Sequence, residues 1–382
     1  MSAPILIASL MRPQGETGVQ THVRAMRDWL TRHGRSVQLI TPFDCPRWLV
    51  YPVFGLRRLL DRLNKEASVW WYRHWHAVFL QRALHKQLAV GQPCVIYAQC
   101  PLSAGAALRA RTSRAQKVVM VVHFNLSQAE EWADKGAIPR DGRFFHSIRA
   151  LEAEVLPEVD GLVFVSDFMR RELRRRIPAV WRVQSQVIPN FLDDPGEPVP
   201  HTERTDLITI GTLEYRKNQR YALEILHAAM QSGRSITLTV VGDGPDRAIL
   251  ERLARELGIE KQVSFTGFVS HAAALMLAHR ACLHVAHMEN LPLTLIEALS
   301  RGLPVFAPAV GGMPEVFNDG AEGRLVPLND AQAAARLILE WLDDGEMMLR
   351  AQQAARRHFL EHFEADRVAT ELAGFLDGTA ST

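Results

Sequence analysis

The feature that most constrains the fold is an ordered alternation of short apolar runs and amphipathic stretches. Residues 4–10 are an apolar run, a loop with Gly15 and Gly18 follows, and residues 19–33 carry apolar side chains at helical spacing. Residues 36–40 then form the next apolar run. Strand, glycine loop, helix and strand in this order predict the opening of a doubly wound α/β domain.

The same alternation starts again in the second half of the chain. Residues 207–211 predict a strand, residues 212–218 a loop, and the stretch from Gln219 a helix. Residues 193–204, DDPGEPVPHTER, are rich in proline, glycine and charge, which is typical of a linker. A chain of 382 residues suits two domains, each with its own core. We predict domains at 1–190 and 191–362, and a terminal amphipathic helix within 363–382.

Composition argues against several classes of protein. Apolar residues make up 47% and charged residues 23%, as in a soluble globular protein. The cysteines Cys45, Cys94, Cys100 and Cys282 form no CxxC pair and have no zinc-ligand spacing. The N-terminus lacks the features of a signal peptide, and no apolar run approaches the ~18 residues of a transmembrane helix. These features predict a cytoplasmic protein with reduced thiols.

Charge is divided unevenly between the two halves. Residues 1–190 hold 27 Lys and Arg against 15 Asp and Glu, a net charge of +12, and the remaining residues carry −10. This asymmetry indicates that the first half faces something anionic, such as nucleic acid or a membrane surface. Because no nucleic-acid motif is present, we do not expect nucleic acid to be the partner.

Residues 47–86 concentrate the positive charge of the first half. Eight Lys and Arg oppose two acidic residues there, and eight aromatic residues are interleaved. Basic residues with interfacial aromatics are typical of a surface helix pair that touches anionic lipid. Aromatics packed in a core, with the arginines in solvent, are an equally good interpretation. The expected acceptor or membrane contacts are Arg57, Arg58, Trp70, Trp71 and Arg73.

The second half contains a candidate anion site. An apolar strand at 281–286 leads into a loop with Glu289 and Asn290, and a helix is predicted from Leu293 to Arg301, ending at Gly302. The first N–H groups of a helix that follows a buried strand attract an anion, and the helix dipole adds to the attraction. The donors would be the amides of Leu293 and Thr294 and the Thr294 hydroxyl.

Two glutamates flank this predicted anion site. Glu289 lies in the loop before the helix, and Glu297 lies one turn into it, eight residues later. Both carboxylates can accept from hydroxyl groups, so the arrangement suits a nucleotide-sugar, which has phosphates in the middle and hydroxyls at both ends. Spacing alone does not decide for this function, because a glutamate early in a helix is also favoured for structural reasons.

The surrounding residues carry a family resemblance. Glu289-Asn-Leu-Pro-Leu-Thr-Leu-Ile-Glu-Ala-Leu, followed by Gly-Leu-Pro-Val and Gly-Gly-Met-Pro-Glu, resembles the Glu-x7-Glu signature of retaining glycosyltransferases of family four. The resemblance covers nearly the whole chain and is stronger after residue 205. It implies the GT-B fold, in which two Rossmann-like domains face each other across a cleft. The first would bind the acceptor and the second the nucleotide-sugar, and the C-terminal helix would cross back to the first.

The resemblance also implies roles for individual residues. Glu289 would hold donor-sugar hydroxyls, Glu297 would hold the ribose, and His123, at the end of a predicted strand, would lie near the donor sugar. The implied catalytic residues are His123, Lys217 and Glu289. The implied donor-binding residues are Gly18, Arg216, Lys217, Asn290, Leu291, Leu293, Thr294 and Glu297.

Two positions depart from the family pattern. Thr17 replaces one glycine of the pair that usually touches the donor phosphates. Thr212 replaces the arginine of the usual Gly-Arg-Leu, so we expect Arg216 to substitute for it. No Asp-x-Asp sequence is present, which argues against a metal-bridged diphosphate, and neither a metal nor another cofactor is expected.

The predicted function is therefore that of a retaining hexosyltransferase. A UDP-sugar is favoured as donor, GDP-mannose is the other option, and the acceptor is a glycan or lipid-linked glycan in cell-surface polysaccharide or lipopolysaccharide assembly. We expect the enzyme at the inner face of the cytoplasmic membrane, bound peripherally to anionic lipid. A non-catalytic nucleotide-sugar-binding protein and a GT-B nucleotide-sugar epimerase are the alternatives.

Overall fold

The computed structural model describes residues 3–15, 17–198 and 205–381. The chain divides into two compact units. Unit 1 consists of Met1–Pro189 and Ala365–Thr382, and unit 2 of Asn190–Glu364. The second part of the predicted linker, residues 199–204, lies outside the described residues.

Unit 1 is built on a six-stranded parallel sheet with the order β2-β1-β3-β4-β5-β6. The strands are β1 (Ile5–Ala8), β2 (Val37–Ile40), β3 (Cys94–Ala98), β4 (Gln116–Val122), β5 (Gly161–Phe164) and β6 (Ser185–Val187). The helices in this part of the chain are α1 (Gly18–Arg32), α2 (Arg47–Leu63), α3 (Lys65–Gln87), α4 (Pro101–Ala110), α5 (Gln128–Asp134), α6 (Arg143–Val155) and α7 (Asp167–Arg176).

The local sequence explains the opening of unit 1. Thr17 caps α1 and forms a capping box with Gln20, which satisfies backbone N–H groups at the helix start. Val23, Met26 and Leu30 recur at helical spacing and are buried, as the sequence pattern predicts. The predicted strands at 4–10 and 36–40 are confirmed as β1 and β2, which pair in parallel.

Unit 2 has a second six-stranded parallel sheet, with the order β12-β11-β10-β7-β8-β9. Its strands are β7 (Thr205–Ile210), β8 (Leu238–Val241), β9 (Val263–Gly267), β10 (His279–Leu283), β11 (Val305–Ala307) and β12 (Gly323–Leu325). Its helices are α8 (Gln219–Gln231), α9 (Arg247–Glu256), α10 (Leu293–Ser300), α11 (Ala331–Asp343) and α12 (Gly345–His362). Because β10 is the parallel neighbour of β7, the loops after these two strands leave the sheet side by side.

The last helix, α13 (Ala365–Ser381), completes unit 1. It packs against α1, β3 and β4 and buries Val368, Leu372 and Phe375. The indole Nε1 of Trp29 donates to Asp366 Oδ1 at 2.9 Å, and Arg35 pairs with Asp377 at 2.7 Å. The sheet of unit 1 is therefore covered by segments from both ends of the chain.

Residues 47–86 form a helix pair, as predicted, because α2 and α3 meet at Asn64. The Asn64 side chain caps α3 by accepting from the backbone N–H of Ala67 at 3.0 Å. Among residues 3–15, 17–198 and 205–381, no helix has the length and apolarity needed to span a bilayer.

Candidate functional site

The loops that follow β7 and β10 meet at the carboxyl edge of the unit 2 sheet. The β7 loop contains a short 3-10 turn at Tyr215–Lys217 and then Asn218 in the left-handed conformation, with φ 55°. The Asn218 Nδ2 donates to the carbonyl of Val285 at 3.1 Å, and the backbone N–H of His287 donates to the carbonyl of Arg216 at 3.0 Å. These bonds tie the two loops together and fix Arg216 and Lys217 beside the β10 loop.

The turn after β8 supports the β7 loop from its other side. A Cβ at Gly242, which has φ +135°, would lie 2.0 Å from the carbonyl oxygen of Gly211. The backbone N–H of Leu213 donates to the carbonyl of Asp243 at 3.0 Å. Glycine at 242 therefore permits a backbone contact that holds the loop in place.

A cluster of half-buried charged side chains surrounds the buried Glu289. The Lys217 Nζ donates to Glu289 Oε1, and the Arg216 Nη1 donates to the same oxygen at 3.1 Å. Arg216 also donates to Glu214 Oε1 at 3.1 Å. Burial raises the pKa of Glu289, but the charges of Lys217 and Arg216 lower it by more, to about 2. Glu289 is therefore an ionised acceptor at neutral pH.

His284 lies beside this cluster, directly after β10. It is buried, and its Nε2 is 3.8 Å from Glu289 Oε1, with no hydrogen-bond partner in the described part of the chain. Burial and the charge of Lys217 lower the pKa of His284 to about 3, so the imidazole is neutral at neutral pH. Sequence reasoning assigned no role to His284 or Glu214. The position of His284 at the carboxyl end of a strand was the available indication.

The backbone of residues 289–291 is held from two directions. Gly311 has φ +61°, and a Cβ there would lie 2.1 Å from the Glu289 carbonyl oxygen, so only glycine fits without displacement. The N–H of Gly312 donates to that same carbonyl at 3.0 Å. On the other side, the Asn190 Nδ2 donates to the carbonyl of Leu291 at 2.8 Å. Asn290 and Leu291 are themselves buried.

Helix α10 follows this loop, and its predicted bounds are confirmed to within one residue. Pro292 occupies the N-cap position and offers no side-chain cap. The amides of Leu293 and Thr294 open the helix, and both residues are half-buried. Glu297 is half-buried one turn further on. The helix ends at Ser300, with Arg301 at the C-cap position, and Gly302 follows with φ +62°, as expected for a glycine after a helix C-terminus.

In unit 1, His123 follows β4 at the carboxyl edge of the sheet. Its Nε2 lies 3.3 Å from Gln99 Oε1, and its ring contacts the ring of His22 edge-on at 4.6 Å. His22 Nε2 in turn lies 3.1 Å from the Tyr97 hydroxyl. Burial and the neighbouring His22 lower the pKa of His123, and burial lowers the pKa of His22 to about 4. Both rings are therefore neutral at pH 7.

Gly18, the other donor-binding residue predicted in unit 1, is the first residue of α1. The loop before it is closed by the side chain of Gln20, whose Nε2 donates to the carbonyls of Arg12 and Gln14 at 2.9 Å each. Thr17, which departs from the family pattern, caps the helix. The expected glycine loop is thus stabilised by side-chain hydrogen bonds.

Of the acceptor or membrane contacts predicted within residues 47–86, some side chains are exposed and others are packed inside unit 1. Arg58 and Trp70 are exposed, whereas Arg57 stacks over the Tyr72 ring at 4.5 Å. Arg73 is buried and donates to Gln128 Oε1 at 2.9 Å, and the indole of Trp71 donates to the Val53 carbonyl at 2.7 Å. The surface contact predicted for Arg73 is wrong, because its side chain is buried inside unit 1. Trp71 is half-buried, and its contact with an acceptor or membrane stays a prediction.

Among the predicted site residues of unit 2, the structure brings Arg216, Lys217 and Glu289 into direct contact. The Thr212 side chain is exposed. Among the residues that the structure describes, no group of three or more His, Cys, Asp or Glu side chains could hold a metal ion.

Comparison with known protein families covers most of the chain. Residues 17–194 match the family model described as Glycosyltransferase Family 4, and residues 193–358 match the one described as Glycosyl transferases group 1. The chain belongs to the glycosyltransferases. The two matches of this glycosyltransferase meet at residues 193–194, a few residues after the boundary between units 1 and 2.

Individual glycosyltransferases share less than a third of their residues with this chain over the matched region. A glycogen synthase of Mycobacterium tuberculosis is 28% identical over 239 residues, which are 61% of this chain and 57% of the relative. A GDP-mannose-dependent α-(1-6)-phosphatidylinositol monomannoside mannosyltransferase of the same organism is 29% identical over 185 residues, 46% of this chain and 48% of the relative. The chain thus matches about half the length of these relatives.

A solved structure shows the same fold over the whole length. HepE of Anabaena, in complex with UDP and glucose, superposes with a TM-score of 0.71 at 16% identity and covers 98% of this chain and 99% of its own. Together with the two parallel six-stranded sheets, this likeness confirms the GT-B fold.

Proposed function

We propose that this glycosyltransferase moves a hexosyl group from a nucleotide-diphosphate donor to an acceptor hydroxyl, with retention of configuration. The observation that supports this most is the buried Glu289 carboxylate, held by Lys217 and Arg216 directly before the N-terminus of α10. A fixed carboxylate can accept from sugar hydroxyls, while a helix N-terminus and two cations suit phosphates.

The diphosphate is proposed to bind both the two cations of the Glu289 cluster and the N-terminus of α10. Arg216 and Lys217 already face the carboxylates of Glu214 and Glu289, so two positive charges are balanced by two negative ones. A diphosphate therefore also needs the amides of Leu293 and Thr294 at the start of α10. When the sugar leaves, negative charge grows on the diphosphate, and these preorganised donors stabilise it.

No protein nucleophile is required for this proposal. Glu289 orients the donor sugar through its hydroxyls, Glu297 accepts from the ribose hydroxyls, and the acceptor attacks the anomeric carbon on the face that the diphosphate leaves. The C–O bond to the diphosphate breaks, the new glycosidic bond forms, and the acceptor proton passes to the departing phosphate. His123, a neutral imidazole, serves as a hydrogen-bond partner for the sugar in this scheme.

A UDP-sugar is the favoured donor. HepE, which has the same fold, binds UDP and glucose according to its structure, and this supports the choice. GDP-mannose is the second option, supported by the name of the mannosyltransferase relative. The acceptor is proposed to be a glycan or lipid-linked glycan of the cell surface. The basic first half of the chain supports its peripheral location at the inner face of an anionic membrane.

A thermal-shift screen against UDP-, GDP- and ADP-sugars tests the donor proposal. A ligand at 100 times its dissociation constant adds ~2.7 kcal/mol to the free energy of unfolding, so a true donor gives a clear shift. The variant Glu297→Ala should lose about 1.5–3 kcal/mol of affinity for the free nucleotide and the donor alike. Its matched control is Glu340→Ala, a change at an exposed glutamate.

Catalysis is tested separately from binding. Slow hydrolysis of the bound nucleotide-sugar, with release of the nucleoside diphosphate, is expected of a glycosyltransferase without its acceptor. Binding without any hydrolysis or transfer would favour the non-catalytic nucleotide-sugar-binding protein, which the exposed Thr212 at the family arginine position makes the second candidate. A product of inverted configuration would contradict retention.

A further inference from the structure

Helix α2 carries an apolar stripe that faces solvent. Trp48, Tyr51, Leu59 and Leu63 are exposed, with Trp48 at 77% and Leu63 at 74% of full exposure. Leu56 is exposed between them. The separations of three, five, three and four residues place all five side chains on one side of the helix.

The opposite side of α2 already anchors the helix to unit 1. Val50 is buried, and Phe54 stacks on the His76 ring with centroids 4.1 Å apart. The Val53 carbonyl accepts from Trp71, and Arg57 lies over the ring of Tyr72. One apolar face is enough to attach a surface helix, so the outer stripe has no part in holding α2 in place.

The stripe is bordered by positive charge. Arg47, Arg58 and Arg62 are exposed on α2, and Lys65 follows at the start of α3. The arginines of α7 differ, because Arg175 pairs with Glu172 and Arg176 with the buried Glu152. An exposed apolar stripe with a basic border is the pattern of a helix that lies in the headgroup region of an anionic bilayer.

We propose that the outer face of α2 docks on an anionic lipid surface, with Trp48, Leu59 and Leu63 among the acyl chains and the arginine side chains at the lipid phosphates. A symmetric contact with a second copy of this chain fits less well, because it would bring the same arginines of two copies together. The inference deepens the proposed function, since it names the surface that would bring the enzyme to a lipid-linked acceptor.

Flotation with vesicles tests the assignment on the full-length protein. Wild type is expected to float with vesicles of phosphatidylglycerol and phosphatidylcholine at low salt, and to float poorly with phosphatidylcholine alone. High salt should weaken the binding, because the screening length falls from ~10 Å at 0.1 M to ~3 Å at 1 M. Failure of wild type to bind anionic vesicles at low salt would overturn the proposal.

Two pairs of variants separate the stripe from general surface properties. Trp48→Ser/Leu63→Ser should weaken vesicle binding about tenfold or more, because two inserted apolar side chains are lost. The matched control, Trp181→Ser/Val90→Ser, removes two exposed apolar side chains elsewhere in unit 1 and should bind like wild type. Equal loss in both variants would show general surface stickiness and contradict the assignment.

The charge border is tested in the same way. Arg58→Glu/Arg62→Glu should weaken binding at low salt about tenfold or more. Its control, Arg252→Glu/Arg350→Glu, changes net charge equally at two exposed arginines of unit 2 and should have a much smaller effect. Unchanged binding of the α2 variant, or a dimer that depends on Trp48 in sedimentation, would overturn the proposal.

These outcomes are distinguishable from failure of the proposed function. Both α2 variants should keep the wild-type thermal shift with nucleotide-sugar, which also shows that they are folded. If vesicle binding fails while the nucleotide shift remains, only the α2 assignment falls. If the protein binds vesicles but binds no nucleotide-sugar, the proposed function is contradicted, whereas the assignment of α2 as a lipid-binding surface is supported.

Discussion

Glu289 keeps its negative charge in surroundings where burial alone would favour the neutral acid. Two cations that share one of its oxygens supply the compensation, at the cost of holding Arg216 and Lys217 in one arrangement. The result is a carboxylate of fixed position whose protonation state does not change near neutral pH. Both properties suit the proposed role of Glu289, which is to hold sugar hydroxyls in one orientation.

The pH dependence of stability should report this charge. The pKa of Glu289 in the folded protein, about 2, lies below its ordinary value of 4.5, so its stabilisation is present above pH ~4.5 and is lost as the pH falls towards 2. Glu289→Gln should lower the free energy of unfolding at pH 7 by about 3 kcal/mol, and the difference from wild type should shrink below pH ~4.5. Urea denaturation measures both.

The control for this experiment is Glu256→Gln, a change at an exposed glutamate of α9. It should remain close to wild type at every pH. A gap between wild type and Glu289→Gln that stays constant from pH 7 to pH 3 would contradict the assigned charge state.

Alanine variants of Lys217 and Arg216 should lower turnover, whereas an alanine variant of the exposed neighbour Arg220 should not. Lys217→Ala is expected to lower kcat by ~10²–10³, comparable with the loss of one oxyanion donor, because Lys217 is proposed to face the developing charge of the leaving group. Arg216→Ala should lower kcat as well if Arg216 substitutes for the arginine that Thr212 replaces. Arg220→Ala, at a more exposed arginine nearby, is the control. If only Lys217 matters, Arg216 has no such role.

At the scale of elements, α10 is fastened at both ends to the segment that opens unit 2. Before the helix, Asn190 donates to the Leu291 carbonyl at 2.8 Å. At its end, Arg356 donates to the Ser300 carbonyl at 3.0 Å and pairs with Asp194 at 2.7 Å. The helix that is proposed to bind phosphate is therefore braced by residues outside its own loop.

Hydrogen exchange can measure this bracing. Asn190→Ala leaves the Leu291 carbonyl without its buried donor, a loss of about 1–3 kcal/mol, so residues 289–294 should open more often. Exchange in that segment should rise, whereas exchange in α8, an internal control of the same unit, should not change. A uniform rise across unit 2 would show global destabilisation and argue against a local brace.

Local periodicity predicted the elements well but could not predict the contacts between them. The strands β1, β2 and β7 and the helix α10 follow from apolar spacing and from end residues such as Gly302. The pairing of Glu289 with Arg216 depends on β10 lying next to β7, and spacing within one segment carries no information on strand order. The burial of Arg73 was missed for the same reason, since Gln128 comes from a distant helix.

For the whole molecule, we predict that the transfer reaction does not depend on a metal ion. Transfer should survive EDTA, because Lys217, Arg216 and the start of α10 are proposed to meet the diphosphate charge. Donor turnover before and after chelation is the measurement. Loss of activity that Mg²⁺ restores would show that a metal ion carries part of this charge.

Unit 1 is made from two segments that flank unit 2 in the sequence, so it cannot be completed before unit 2 has been synthesised. The ribosome synthesises Met1–Pro189 before unit 2, but α13, which packs against α1 and β4, follows only after unit 2. Unit 2, Asn190–Glu364, lies between them, and its synthesis takes roughly nine to thirty-five seconds at ~5–20 residues per second. During that time unit 2 can form its core, while the part of unit 1 that α13 later covers stays exposed to solvent. The nascent chain is thus most vulnerable to aggregation and chaperone capture just before α13 appears.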